Sequence, residues 1–200
     1  VKLYNSDQTS YYRSSEVEAV IHKALNYWFT AKPVCLNWWY NQIGIPKTLG
    51  TVFILFEKQL TPVEKQNAIT VMENAKFGMT GQNKVWLAGN VMMRALLQND
   101  YELVKMARDT IASEIVTGGA EGIKDDWCFH QHGAQQQFGN YGLSFVSGMS
   151  FFSGLFSGTS LAFDDKQLSI LSTLIDKGYR WVIWKGMMDV NALGLSLIHI

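Results

Sequence analysis

Helical spacing, broken at intervals by caps, prolines and glycines, runs through most of this chain, and no segment alternates apolar and polar residues as a half-buried strand would. Ser14 or Ser15 can cap a helix starting near Glu16, with Val17, Val20, Ile21, Ala24, Leu25 and Trp28 on one face and Lys32-Pro33 as its stop. Further helices are predicted over Lys47 to Gln59 and from Thr61-Pro62, which sets Pro at the first helical position and Glu64 in the first turn, to about Phe77-Gly78. That helix carries Val63, Ala68, Val71 and Met72. The same pattern predicts helices over Thr80 to Leu97, Asp100 to Val116 (Asp100 as cap, Gly118-Gly119 as stop), Tyr141 to Phe156 and Asp164 to Trp184. Consecutive helices with short links fold as antiparallel hairpins. The expected class is therefore all-α, as an arc of an α/α toroid or as a plain helical bundle.

Composition narrows the function. Hydrophobic residues make up 48% and charged residues 17% of the 200, which excludes a disordered chain. Ser and Gly interrupt the most apolar stretch, Leu143 to Phe163, so no membrane span is expected. The formal net charge is zero, so an anionic partner would need a local patch, and nucleic acid is not expected. Seven Trp, eight Tyr and eleven Phe suit either an aromatic core or rings stacked on sugars. Cys35 and Cys128 make no disulfide framework. No secretory leader is visible, and a chain that begins at Val1 is expected to have its true start upstream.

Three blocks carry candidate chemistry. In Asn37-Trp38-Trp39 the adjacent indoles would point about 100° apart on a helix, so one can serve a core and the other a stacking platform. In Thr80-Gly81-Gln82-Asn83, Asn83 falls in the first turn of a helix, where N–H groups and the macrodipole favour an anion; an ordinary cap is the plainer reading. The polar stretch Glu121 to Asn140 is too long for a mere connection. It leads through His130-Gln131-His132 to Tyr141 and offers uncharged hydrogen-bonding groups suited to sugar hydroxyls, with His132 and Tyr141 as proton-transfer candidates. His130, His132 and Cys128 invite a zinc reading, but further ligands are not evident, and no metal or cofactor is expected. Lys185 to Asn191 reads as a turn after a helix.

Taken in order, Asn37-Trp38-Trp39 with Ile43-Gly44-Ile45-Pro46, Thr80-Gly81-Gln82-Asn83, and the block from His132 to Tyr141 resemble the polysaccharide lyase family of chondroitin AC, hyaluronate and xanthan lyases. Gln131-His132-Gly133-Ala134-Gln135 looks closer to the chondroitin and hyaluronate branch. The resemblance implies an incomplete α/α toroid over residues 1–194, an acidic polysaccharide as partner, a monomer, and export to the periplasm or medium of a bacterium. It implies that Asn83 binds the uronate carboxylate, Tyr141 acts at the C5 proton and leaving oxygen, and His132 assists. Trp38, Trp39, Phe77 and Gln131 would bind substrate. The family places Arg after the glycine at position 194, where this chain has Leu195, and Leu195-Ser196-Leu197-Ile198-His199-Ile200 is expected to be a non-native tail that leaves the fragment inactive. Two other functions compete. A toroid glycoside hydrolase needs carboxyl groups on opposite faces of a sugar, which the adjacent Asp125 and Asp126 do not supply. A carbohydrate-binding inactive homologue needs only the aromatic and amide groups.

Overall fold

Ser14 adopts the extended conformation of a cap and accepts from the Val17 N–H, and helix α1 runs Ser15–Ala31 until Lys32 enters the left-handed region and closes it. This is a computed structural model, which describes residues 1–195; positions 196–200 of the expected tail lie outside the described residues. The other helices are α2 (Ile45–Leu55), α3 (Pro62–Met72), α4 (Gly81–Gln98), α5 (Tyr101–Ala112), α6 (Leu143–Phe156), α7 (Asp165–Thr173) and the short α8 (Arg180–Val182). The chain divides into two compact units, Val1–Lys76 with Leu87–Ala107, and Phe77–Trp86 with residues from Arg108 onward.

In the first unit, Tyr4, Leu25, Phe29, Phe53, Phe56, Ala68, Met72 and Leu97 form the buried core. Val20 and Ala24 were expected on the inner face of α1, yet Val20 is 65% exposed and Ala24 also faces out. The buried stripe follows Ile21, Leu25, Trp28 and Phe29, and Val20 and Ala24 belong to the neighbouring row. Val63 is likewise exposed, because as the second residue of α3 it precedes the first inward turn through Glu64 and Ala68. Thr61 and Glu64 form a reciprocal capping box, and the buried Glu64 carboxylate also meets His22 Nδ1 at 2.9 Å. Hydrogen bonds from the Thr61 backbone, His22 and the Thr61 hydroxyl outweigh the upward push of burial and hold Glu64 below the usual carboxylate range. The predicted helix over Lys47 to Gln59 begins earlier, at Ile45, and breaks at Phe56 into a 3₁₀ turn, Glu57–Gln59.

The second unit departs further from the sequence pattern. Helix α5 stops at Ala112, short of Val116, and the chain turns so that Thr117 bridges Ile123. Gly122–Ile123 (β1) then pairs antiparallel with Phe129–His130 (β2), so the polar stretch is a zipped hairpin rather than an open loop. Gln137 N–H donates to the Phe129 carbonyl at 2.8 Å and continues that zipper. A π-helical turn, Phe138–Gly142, leads into α6, and the buried Tyr179 hydroxyl donates to the Phe138 carbonyl at 3.1 Å. The predicted helix over Asp164 to Trp184 ends sooner. After α7, a π-helical run Leu174–Tyr179 and α8, Ile183–Trp184 (β3) pairs with Met187–Met188 (β4) across Lys185-Gly186. Both turn residues have positive φ, +51° and +80°, as a two-residue hairpin turn of type I′ requires. The described residues thus remain helical in class, with two minimal ladders added.

Candidate active site

The sequence places Asn83 at a helix start that could hold an anion on free backbone N–H groups. The structure gives those groups to protein side chains instead. The Gly81 N–H donates to Glu114 Oε2 at 2.7 Å, and the Gln82 N–H donates to Gln131 Oε1 at 2.9 Å. Lys84 closes the same corner by pairing with Glu114 Oε1 at 2.9 Å. What this terminus can still offer a ligand is the Asn83 side chain, which is 6% exposed and whose Oδ1 has no partner among the described residues. The fully buried Gln82 amide also lacks one there. Gly81 is required in this turn. Its φ is +57°, and a Cβ would collide with the Gln131 amide.

Gln131 was expected to face substrate. Its side chain is 1% exposed and turned into the protein, where Nε2 donates to the Thr80 carbonyl at 3.3 Å and to the Glu121 carboxylate. It therefore builds the site and does not line it. The next residue, His132, is exposed and sits at φ +59°, followed by Gly133 at +74°. Its Nε2 lies 3.0 Å from the Tyr141 hydroxyl, with the two rings edge to face. Tyr141 is carried by the π-helical turn, and its other flank meets the Trp86 ring at 5.8 Å. Asn83 and Trp86 are three positions apart on α4 and share a face, so Asn83 projects towards the side on which Tyr141 packs. Asn83, His132 and Tyr141 all belong to the second compact unit.

The electrostatics of this pair are specific. Burial and, next, the nearby Glu121 carboxylate push the Tyr141 phenol above its ordinary value of about 10. Burial also pushes the Glu121 carboxyl upward. Hydrogen bonds from the Thr80 hydroxyl and from the Gly133 and His132 N–H groups reverse that and hold it below the usual carboxylate range. Leu195 stands where a cation was expected. Its N–H donates to Gln137 Oε1 at 3.1 Å, four residues before Tyr141.

The aromatic candidates fall in different units. Phe77 is 37% exposed and lies in the second. Trp38, 44% exposed, and the less exposed Trp39 lie in the first. Asn37 accepts from the Trp39 N–H at 2.9 Å, and Trp39 stands edge to face with Tyr40. A Cβ at Gly44 would approach the Trp39 ring to 2.8 Å, so this glycine gives the indole its seat. Among the described residues, no three His, Cys, Asp or Glu side chains gather as a metal site.

Residues 1–197 match the family described as polysaccharide lyase family 8, N-terminal alpha-helical domain. The chain belongs to that family. A family 8 relative, the chondroitinase-AC of Pedobacter heparinus, is 30% identical over 199 residues, covering 97% of this chain and 28% of the relative. Xanthan lyase of Bacillus sp. is 27% identical over 195 residues, covering 91% and 21%. A solved chondroitinase AC lyase, described with oligosaccharide complexes, superposes with a TM-score of 0.89 at 29% identity, over 99% of this chain and 30% of that one. The α/α-toroid class expected from the sequence agrees with these neighbours. The chain spans under a third of the length of the relatives it matches. Glu121 and the inward role of Gln131 escaped the sequence, because neither lies in a helical pattern and both act through a hairpin that composition does not reveal.

Proposed function

We propose that this domain belongs to an enzyme that cleaves uronic-acid-containing polysaccharides of the chondroitin or hyaluronan type by β-elimination. The observation that carries this reading is the contact between His132 Nε2 and the Tyr141 hydroxyl beside Trp86, on the helix whose first turn holds Asn83. The C5 proton of a uronate is weakly acidic, because its removal adds negative charge to a carboxylate. The Asn83 amide stabilises that developing charge as a preorganised neutral donor. His132 Nε2 takes the phenolic proton, and the Tyr141 phenolate accepts the C5 proton. The electron pair forms the C4–C5 double bond, the C4–O bond breaks, and the Tyr141 hydroxyl returns its proton to the leaving oxygen. Phe77, in the same unit, supplies a face for a sugar ring, and Trp38 and Trp39 are sugar-stacking candidates within the first unit. A substrate of polymer length also requires export of the whole enzyme to the periplasm or medium.

The unchanged chain is expected to bind such sugars without cleaving them. With Leu195 in place of a cation, no lowering influence among the described residues offsets the burial and Glu121 charge that keep the Tyr141 proton on. The test is incubation with chondroitin and hyaluronan, reading ultraviolet absorbance of unsaturated uronate and, separately, binding by calorimetry. Binding without new absorbance is the expected result. Cleavage that leaves saturated ends would replace elimination by hydrolysis, and absence of binding would sink the assignment.

A further inference from the structure

His132 occupies a backbone conformation that costs a residue with a Cβ about 1–2 kcal/mol. Something must hold it there. The two successive positive-φ residues His132 and Gly133 make a tight turn whose Gly133 N–H is directed at an anion. That anion belongs to the protein. Glu121 Oε1 accepts the Gly133 N–H at 2.9 Å, and the neighbouring His132 N–H adds to the field that favours its charged form. Glu121 Oε2 accepts the Thr80 hydroxyl at 2.5 Å and the Gln131 amide. Thr80 immediately precedes α4, and Gln131 also holds the Gln82 N–H next to Asn83. One carboxylate therefore joins the turn that presents His132 to the segment that presents Asn83.

We propose that Glu121 is the positioning residue of this site, fixing His132 against the Tyr141 hydroxyl and tying that turn to the start of the Asn83 helix. Its purpose in catalysis rests on the lyase function proposed above, whereas the clamp itself does not. A carboxylate has about four lone-pair sites, and the Thr80 hydroxyl, the Gln131 amide and the Gly133 N–H occupy three of them, so Glu121 is committed to holding the turn. Its charge also acts on Tyr141, so the same group that sets the geometry opposes formation of the phenolate.

The test needs no substrate. In the 200-residue chain with ¹⁵N-labelled histidine, Tyr141→Phe shifts the His132 ring-nitrogen resonances, because the 3.0 Å contact is removed. In a Glu121→Ala background the same substitution is expected to shift nothing, because His132 has already left Tyr141. Glu121→Gln, of nearly the same shape but with an amide NH₂ facing the donors, is expected to reduce the response and serves if the alanine variant does not fold. Circular dichroism and melting verify folding in each case. A full-sized response to Tyr141→Phe in either folded Glu121 variant overturns the clamp. Failure of the lyase function would show separately, as saturated cleavage products or absent sugar binding, with the resonance result unchanged.

Discussion

Replacing Gln131 by Met removes the hydrogen bonds of a buried amide while nearly keeping its length and volume. Three bonds are lost: one accepted from the Gln82 N–H, one donated to the Thr80 carbonyl, and one donated to the Glu121 carboxylate. Two neutral bonds at about 1 kcal/mol each and one to a charged acceptor at about 1.5–3 kcal/mol set a ceiling near 5 kcal/mol. The partners share one network, so their losses do not add fully, and about 2–4 kcal/mol is the expected destabilisation. For a chain of this size each kcal/mol lowers Tm by about 2–4 °C, which gives a fall of about 4–16 °C. Thermal melting followed by circular dichroism, with urea titration alongside, reads it directly. A loss under about 1 kcal/mol at an unchanged urea slope would show that the amide is not the keystone of this corner.

Other substitutions probe the site from different sides. Leu195→Arg sets a cation on the segment held by Gln137 and should lower the Tyr141 phenol pKa, read from the ¹³Cζ tyrosine resonances on alkaline titration; an unmoved value removes the cation argument. Gly44→Ala forces a Cβ to within 2.8 Å of the Trp39 ring and should cost about 1–3 kcal/mol with a change in tryptophan fluorescence, whereas an unchanged spectrum and stability would free Trp39 of that seat. Burial raises the Tyr179 phenol far above its ordinary value, so its folded pKa exceeds its unfolded one. Its contribution to stability is complete below about pH 10 and is lost as pH rises towards the folded value; Tyr179→Phe should flatten that alkaline decline in denaturation curves, and an unaltered slope would count against it.

The helices were legible because capping and period act locally. Ser14, Thr61-Pro62 with Glu64 in the first turn, and Asp100 mark starts that the structure keeps, with Asp100 Oδ1 accepting the Leu103 N–H at 2.9 Å. Their inner faces were less legible, since Val20 and Ile21 are equally apolar and packing alone decides which turns inward. The ending of the Asp164–Trp184 segment was missed because Ile183, Trp184, Met187 and Met188 suit either a helix or a hairpin, and the choice rests on two turn residues with positive φ. In the site, His132 and Tyr141 stood out by chemistry and spacing. Gln131 is buried where exposure was expected, because an amide beside a candidate proton-transfer histidine reads as a ligand group until its burial is known. Glu121 gave no sequence signal at all, as its partners lie 10, 12 and 41 positions away.

The most direct measurement is a titration of the labelled chain with a uronic-acid disaccharide, following the Asn83 side-chain amide, the His132 ring nitrogens and the Tyr141 ring carbons together. All three should move along one saturation curve, and the methyl ester of the same sugar should bind more weakly because Asn83 then meets no carboxylate. Resonances that stay fixed, or that saturate at different concentrations, would mean that the amide, the imidazole and the phenol do not serve one sugar acid.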